Sequence, residues 1–425
     1  MFLYFYFVIS SYYVVKPVRD SLFLEWMGAD NLPYVYLADA LVVGVVVFVY
    51  TRLTAYIEAY KLASWSIVFL ISNLFIFRWI YAQHWPATSF IFYLWVDMFS
   101  IMLVTQFWTC ANDIFKKDEA KRLFGFIGTG GLLGGLTGGL VTSKTAVLFG
   151  TENLLYVSVF FLVICLVVMN ISWRLHTDHY SLKAEIQNEL AIARDPSRAF
   201  SKRTLMLIKS SKYIFCIVLL VAMTRCVATL IDYQFKDMIE LVMPDKDLRT
   251  SALGVIYAIS SGAPFLIQLL ITPQILKRFG PAAALMLLPI GLVIGSAGLL
   301  IVPSLLMAAI LKISDGSFRY SINQSAKEYL YMPVARAARY KLKPFIDMFV
   351  YRSAQAASAI IVLVLTRLLH LKTSAVGISA VLLIGVWFYL IKRIKVLHEK
   401  EVGSDDTSIP KSGPTDIQAD TANVS

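Results

Sequence analysis

Charge is scarce in this chain: Asp, Glu, Lys and Arg supply 16% of its 425 residues, where soluble domains carry about 25%. That composition excludes a soluble globular protein. Cysteine occurs four times, as Cys110, Cys165, Cys216 and Cys226, and histidine five times. All four cysteines lie inside apolar runs, without paired spacing and without a neighbouring histidine, so neither a disulfide framework nor a metal site is expected, and no cofactor is. No nucleophile–base arrangement stands out, and an enzyme is not expected. The glycine-rich stretch Gly128–Gly139 follows no strand, and Lys144 is preceded by Ser143 instead of glycine, which excludes a phosphate-binding loop. The first apolar run lacks a basic n-region and a small-residue cleavage site, so it reads as a span and not as a cleaved signal peptide.

What the chain has in abundance is apolar length. Hydrophobic residues make up 58% of it and fall into runs of about 20 residues, the length that crosses a bilayer as a helix. Twelve spans are predicted. The first six lie at about Phe2–Leu24, Tyr34–Tyr50, Ser64–Tyr81, Phe90–Cys110, Leu123–Leu148 and Leu154–Trp173, and the second six at about Tyr213–Ile231, Ser251–Thr272, Ala282–Val302, Ser304–Tyr320, Pro344–Leu369 and Ser374–Ile391. The expected fold class is an all-α integral membrane protein. Its expected divisions are a first six-helix half (1–173), a cytoplasmic linker (174–212), a second half (213–391) and a disordered cytoplasmic tail (392–425). The net charge of +11 calls for no nucleic-acid partner, because Lys and Arg collect in the loops after even-numbered spans and in the tail. By the positive-inside rule both termini are expected in the cytoplasm, with a bacterial inner membrane as the surrounding bilayer.

Some spans nevertheless carry charge. Lys312, Asp315 and Arg319 recur at spacings of three and four and share one helical face, and Asp347 and Arg352 re-enter apolar sequence after a basic loop. A charge at mid-bilayer costs about 2.5–3.5 kcal/mol on insertion scales, so these side chains should face a polar cavity or one another. The two halves also match locally. Val15–Phe23 (VKPVRDSLF) and Tyr233–Leu241 (YQFKDMIEL) each precede a polar turn and the next span, which puts Arg19-Asp20 and Lys236-Asp237 in equivalent places. Two such six-helix repeats are the architecture of major-facilitator-type secondary transporters, whose substrate site lies near the midplane between the halves. The candidate cavity cations are Lys16 and Arg19 from the first half and Arg225, Lys236, Lys312 and Arg319 from the second. Tyr12, Tyr13, Tyr233 and Tyr320 are candidate faces for stacking a base. Asp39, Asp97, Asp232 and Asp315 are candidates for internal ion pairs or for proton coupling. Either Pro17 kinks the first helix and Arg19 snorkels to an interface, or Lys16 and Arg19 project into the cavity with Asp20 as their internal partner, and the glycines at four-residue spacing should let helices approach closely.

The stretches VVKPVRDSLFL, WTCANDIFKKDEAKRLFGFIGTGG, IDYQFKD, LKISDGSFRYSINQSAKEYLYMPV and KPFIDMFVYR together resemble the ATP/ADP translocase family of intracellular bacteria and plastids, with its nucleoside triphosphate/diphosphate exchangers, from about Tyr13 to Arg352. The resemblance implies a major-facilitator-like carrier that exchanges nucleotides, distinct from the mitochondrial carrier fold. Carried over by position, it implies a gate network of Glu119, Lys121 and Arg122 after the fourth span with Lys327 and Glu328 after the tenth, and a substrate-facing Asp347 in the eleventh. Where the exchangers it resembles carry Gly-Lys in that span, this chain reads Ala354-Gln355, so one phosphate counter-charge is missing. Arg352 and Gln355 share a helical face with Asp347 and join the candidate substrate residues. The function implied is antiport of a small anionic substrate, a nucleotide, by alternating access. The alternative is a proton-coupled carrier or exporter of another small solute, resting on Asp39, Asp97 and Asp315.

Overall fold

The structure, a computed structural model, describes residues 1–53, 59–115, 117–174, 206, 208–209, 211–334 and 336–406. Six helices come first: α1 (Phe2–Met27), α2 (Leu32–Leu53), α3 (Ala59–Tyr81), α4 (Ala87–Ile114), α5 (Lys117–Phe149) and α6 (Leu154–Arg174). After α7 (Lys212–Val242), α8 (246–279) and α9 (281–301) share the helical stretch Lys246–Ile301, which Gly280 breaks with φ at 75°. Helix α10 runs from Leu305–Phe318 through a π turn, Arg319–Asn323, into Gln324–Leu330. Helix α11 comprises Arg336–Phe345, a π turn at Ile346–Val350, Tyr351–Leu363 and a second π turn at Val364–Leu368, and α12 is Thr373–Asp406.

Among the described residues, eight helical stretches are long and apolar enough to cross a membrane by length and composition, one of them the 56-residue run that holds α8 and α9. The three rods outside that set are α1, α10 and α11, which carry Lys16, Arg19 and Asp20, Lys312, Asp315 and Arg319, and Asp347 and Arg352 in turn. Charge also explains the boundaries that differ from expectation. Helix α7 continues past Ile231 to Val242, so Asp232 and Lys236 lie inside it and not beyond its end. Helix α12 continues through Lys392 to Asp406, so the expected tail boundary falls within a helix. Residues 175–205 of the expected linker and 407–425 of the expected tail lie outside the described residues.

Large apolar side chains such as Leu41, Trp65, Ile294 and Leu382 are exposed on the flanks, a distribution that lipid accommodates and water does not. Inside, one apolar cluster is built from α1 and α3–α6, around residues such as Tyr4, Phe99, Phe107 and Leu162. A second is built mainly from α7–α12 and takes in Phe23, Tyr36 and Tyr93 from the first six helices.

The glycines of α5 fit it between α1 and α8. A Cβ added at Gly130, Gly134 or Gly138 would stand 2.8, 2.3 and 2.6 Å from the backbone carbonyl oxygens of Phe2, Tyr6 and Ser10, and one at Gly139 would stand 2.6 Å from that of Gly254. Four-residue spacing thus brings backbone against backbone, as close helix packing in membranes requires. Pro17 stays within α1. It has no N–H to bond the Tyr13 carbonyl, and the Thr142 hydroxyl of α5 donates to that oxygen instead, at 3.3 Å.

The ends of the bundle differ. At the end opposite the start of the chain, Gly28 and Gly150, with φ of 75° and 79°, each open a 3-10 turn of the form Gly-x-acid-Asn. The next backbone N–H in each turn is held by a carboxylate from around the α7–α8 turn: Ala29 donates to Glu240 Oε2 at 2.6 Å and Thr151 to Asp247 Oδ1 at 2.7 Å. Arg249 bonds Glu25 at 2.5 Å, and Lys246 pairs with Glu152. These bonds tie α1, α2, α5 and α6 to α7 and α8 at this end.

Candidate functional site

A cavity of about 250 Å³ lies between the two sets of helices. Helix α1 lines it with Tyr12, Lys16 and Arg19, α2 with Tyr36 and Asp39, and α4 with Tyr93, Asp97, Ser100 and Ile101. From the other side come Arg225, Ala228, Thr229, Asp232 and Lys236 of α7, Lys312, Arg319 and Tyr320 of α10, and Tyr351, Arg352 and Gln355 of α11. Ile101 and Ala228 are the aliphatic members of this lining; the rest are polar, charged or tyrosine.

Most of the lining charge is spent internally. Arg19 is buried, donates to Asp20 Oδ1 through Nε (3.0 Å) and Nη2 (2.9 Å), bonds Asp97 through Nη1, and lies 4.0 Å above the Tyr93 ring. Lys236 Nζ stands 3.1 Å from the same Asp20 oxygen and 2.9 Å from Asp232, and donates to the Tyr93 hydroxyl at 2.7 Å. Asp20 completes its set by accepting from the Tyr257 hydroxyl at 2.7 Å. Asp232 also pairs with Lys312 and accepts from the Tyr36 hydroxyl at 2.7 Å. Arg319 pairs with Asp315 four residues earlier. Across the cavity, Arg352 Nη1 donates to Asp39 Oδ2 at 2.7 Å, and Gln355 Nε2 donates to the same oxygen at 2.9 Å.

Two cations are left over. Among the described residues, Lys16 and Arg225 form no ion pair with a carboxylate. The Lys16 ammonium instead lies 4.1 Å from the Tyr257 ring centroid and 5.5 Å from that of Tyr13. Arg225 donates to the Tyr351 hydroxyl at 2.9 Å and to Gln355 Oε1, while its Nε is buried without a hydrogen-bond partner. Arg319 Nε is likewise buried and unpartnered. Uncompensated positive charge in a low-dielectric cavity attracts an anion strongly.

The candidate residues from the sequence therefore converge: Lys16, Arg19, Arg225, Lys236, Lys312, Arg319, Arg352 and Gln355 line one cavity. The side chain of Asp347 lies outside the described residues. Asp39, Asp97, Asp232 and Asp315 are all engaged in ion pairs. Of the tyrosines, Tyr12 and Tyr320 line the cavity, and Tyr13 sits beside Lys16. Tyr233 does not: it is 1% exposed in the apolar core, because one residue past Asp232 turns it to another face of α7. The repeat also aligns the wrong acid. Lys236 pairs with Asp232, one helical turn earlier, while Asp237 is absent from the lining.

Glu119 and Arg122 are exposed near the start of α5, and the side chain of Lys121 lies outside the described residues. The ion-pair partner of Glu328 is Lys343 of α11, and not its neighbour Lys327. Sequence reasoning missed the tyrosine hydroxyls of Tyr36, Tyr93, Tyr257 and Tyr351 that hold these charges in place. Tyr351 was the most accessible of them, since it adjoins Arg352 in KPFIDMFVYR.

A family model described as TLC ATP/ADP transporter matches residues 77–304. The chain is 20% identical to "ADP,ATP carrier protein 1" of Chlamydia trachomatis, with 99% of this chain and 92% of that protein covered. It is 24% identical to the protein of the same name from Rickettsia conorii over 70% of this chain and 64% of that one. Among solved structures, a mutant of the nucleoside transporter NupG superposes with a TM-score of 0.66 at 13% identity, covering 92% of this chain and 98% of that one. A bacterial homologue of the iron transporter ferroportin in its inward-facing state superposes with a TM-score of 0.58 at 14% identity, covering 91% and 98%. At these identities the likeness concerns the fold, which is that of major-facilitator-type transporters.

Proposed function

The chain belongs to the TLC ATP/ADP transporter family, and from that premise we propose that it is a nucleotide antiporter of the ATP/ADP exchange kind, working by alternating access. The observation that carries this reading is the cavity between the helix sets, in which Lys16 and Arg225 have no carboxylate partner among the described residues. A phosphate chain needs charge-assisted donors in a site that excludes water. Lys16 and the Arg225 guanidinium supply them from opposite walls. Tyr320 is 62% exposed and lines the cavity, leaving a ring face for a base, with Tyr12 beside Lys16 as a second. Arg19, Lys236, Lys312 and Arg352 hold the cavity carboxylates and so keep the site assembled, with Gln355 bridging Asp39 and Arg225.

The two halves, 1–173 and 213–391, rock about this site. The bonds from Glu240, Asp247, Arg249 and Lys246 close one end in the present state. Glu119, Lys121, Arg122, Lys327 and Glu328 close the other in the alternate state. The protein is an integral multi-pass membrane transporter; both termini face the cytoplasm of a bacterium, in its inner membrane. Asp39, Asp97 and Asp315, on which proton coupling would rest, are each held by a cation here, which favours exchange of anions. The test is counterflow: proteoliposomes preloaded with saturating unlabelled ATP or ADP in magnesium should accumulate labelled ATP, and empty liposomes should not. Accumulation driven by a pH gradient without internal nucleotide would favour the other reading.

A further inference from the structure

The charge balance of the cavity narrows the substrate of the nucleotide exchange proposed above, on which this inference rests. Five carboxylates, Asp20, Asp39, Asp97, Asp232 and Asp315, are matched by Arg19, Lys236, Lys312, Arg319 and Arg352. Lys16 and Arg225 have no such match, so among the described residues the site holds two positive charges in excess. Gln355 is the reason the excess is not larger. It is neutral and 3% exposed, and its amide serves both sides, Nε2 donating to Asp39 and Oε1 accepting from Arg225.

We propose that this site selects nucleotides by net charge and takes the dianion. A terminal phosphate near neutral pH carries about two negative charges, and each further phosphate adds about one. Two species meet the requirement: a nucleoside monophosphate, and a nucleoside triphosphate whose phosphates are complexed to one magnesium ion. Free diphosphate brings one charge beyond what the site compensates, and free triphosphate two. Charge left uncompensated away from water is strongly disfavoured, so each excess charge lowers apparent affinity.

The test is competition in proteoliposomes against labelled AMP and against labelled ATP, with AMP, ADP and ATP as competitors, each in EDTA and in excess magnesium. In EDTA, AMP should compete about tenfold or more better than ATP, a difference of about 1.4 kcal/mol; magnesium should strengthen ATP and leave AMP little changed. Effective AMP in EDTA identifies the monophosphate as a substrate, and ATP effective in magnesium alone identifies the complex. Free ATP or free ADP competing in EDTA as well as AMP overturns the proposal and leaves nucleotide exchange standing. No exchange with any nucleotide, from protein that melts cooperatively, removes both. The Gln355→Lys protein adds one cation, and its preference should move toward free ADP by about tenfold. An unchanged order of preference in a Gln355→Lys protein that still exchanges also overturns the proposal.

Discussion

Gln355 Nε2 donates to Asp39 Oδ2 across 2.9 Å, joining α11 to α2 over the cavity, and Arg352 Nη1 donates to the same oxygen at 2.7 Å. One carboxylate from the first six helices is thus gripped twice by a helix from the last six. Moving the halves apart on this side must break both bonds.

Asp39 is 1% exposed and its Oδ1 has no partner, so the stability of this seam rests on one oxygen. Asp39→Asn should destabilise the protein by about 1–3 kcal/mol, because the part-buried Arg352 is left without its counter-ion. Adding Arg352→Gln should recover part of that loss. Thermal melts of the two single variants and the double variant give the coupling directly; additive losses would mean that the pair does not interact.

The cavity cations divide into two groups by partner, and variants should divide the same way. Lys236→Gln leaves Asp20 and Asp232 each short of one cation and should cost about 3–5 kcal/mol. Arg225→Gln removes a cation that pairs with no carboxylate among the described residues, and should change stability by about 1 kcal/mol or less while weakening nucleotide exchange about tenfold or more. Melting and exchange measured on the same preparations separate the two effects.

Glycine positions on α5 give a steric test. A Cβ at Gly134 would stand 2.3 Å from the Tyr6 carbonyl oxygen, whereas one at Gly128 meets nothing within 4 Å. Gly134→Ala should therefore destabilise by about 1–3 kcal/mol through overpacking, and Gly128→Ala should be neutral or slightly stabilising. Equal effects at the two sites would show that α5 does not press on α1 through this face.

The two Gly-x-acid-Asn turns hold one end of the bundle shut through single backbone N–H groups. Glu240→Ala and Asp247→Ala each release one turn, at Ala29 and Thr151. Both should raise labelling of a cysteine placed at Ser21, whose hydroxyl now donates to the Lys246 carbonyl at 2.8 Å. Labelling that stays at the level of the parent cysteine protein would place the closure elsewhere.

Much of this was legible in the sequence, and the parts that were not share a cause. Apolar runs long enough to span a bilayer fixed the number of rods, and charge inside α1, α10 and α11 pointed to a polar interior. Helix ends were read too early wherever charge appeared, as at Ile231, because hydropathy cannot distinguish a charge that leaves the membrane from one that faces a cavity within it. Partners were harder still. Lys236 meets Asp20 from a helix more than two hundred residues earlier, and only the packing of α1 against α7 brings them together. Tyr93 and Tyr257 sit in aromatic and apolar surroundings where nothing in the spacing separates a hydroxyl that binds a charge from one that faces lipid.

The most direct measurement is nucleotide counterflow by a Lys16→Gln, Arg225→Gln double variant beside the parent protein in the same liposomes. If these two cations are the excess charge that holds the phosphates, each is worth about 1–3 kcal/mol of substrate affinity, and the apparent affinity should fall about a hundredfold or more while the melting temperature stays close to that of the parent. Exchange at the parent's affinity by the folded double variant would contradict the assignment of the phosphates to this cavity.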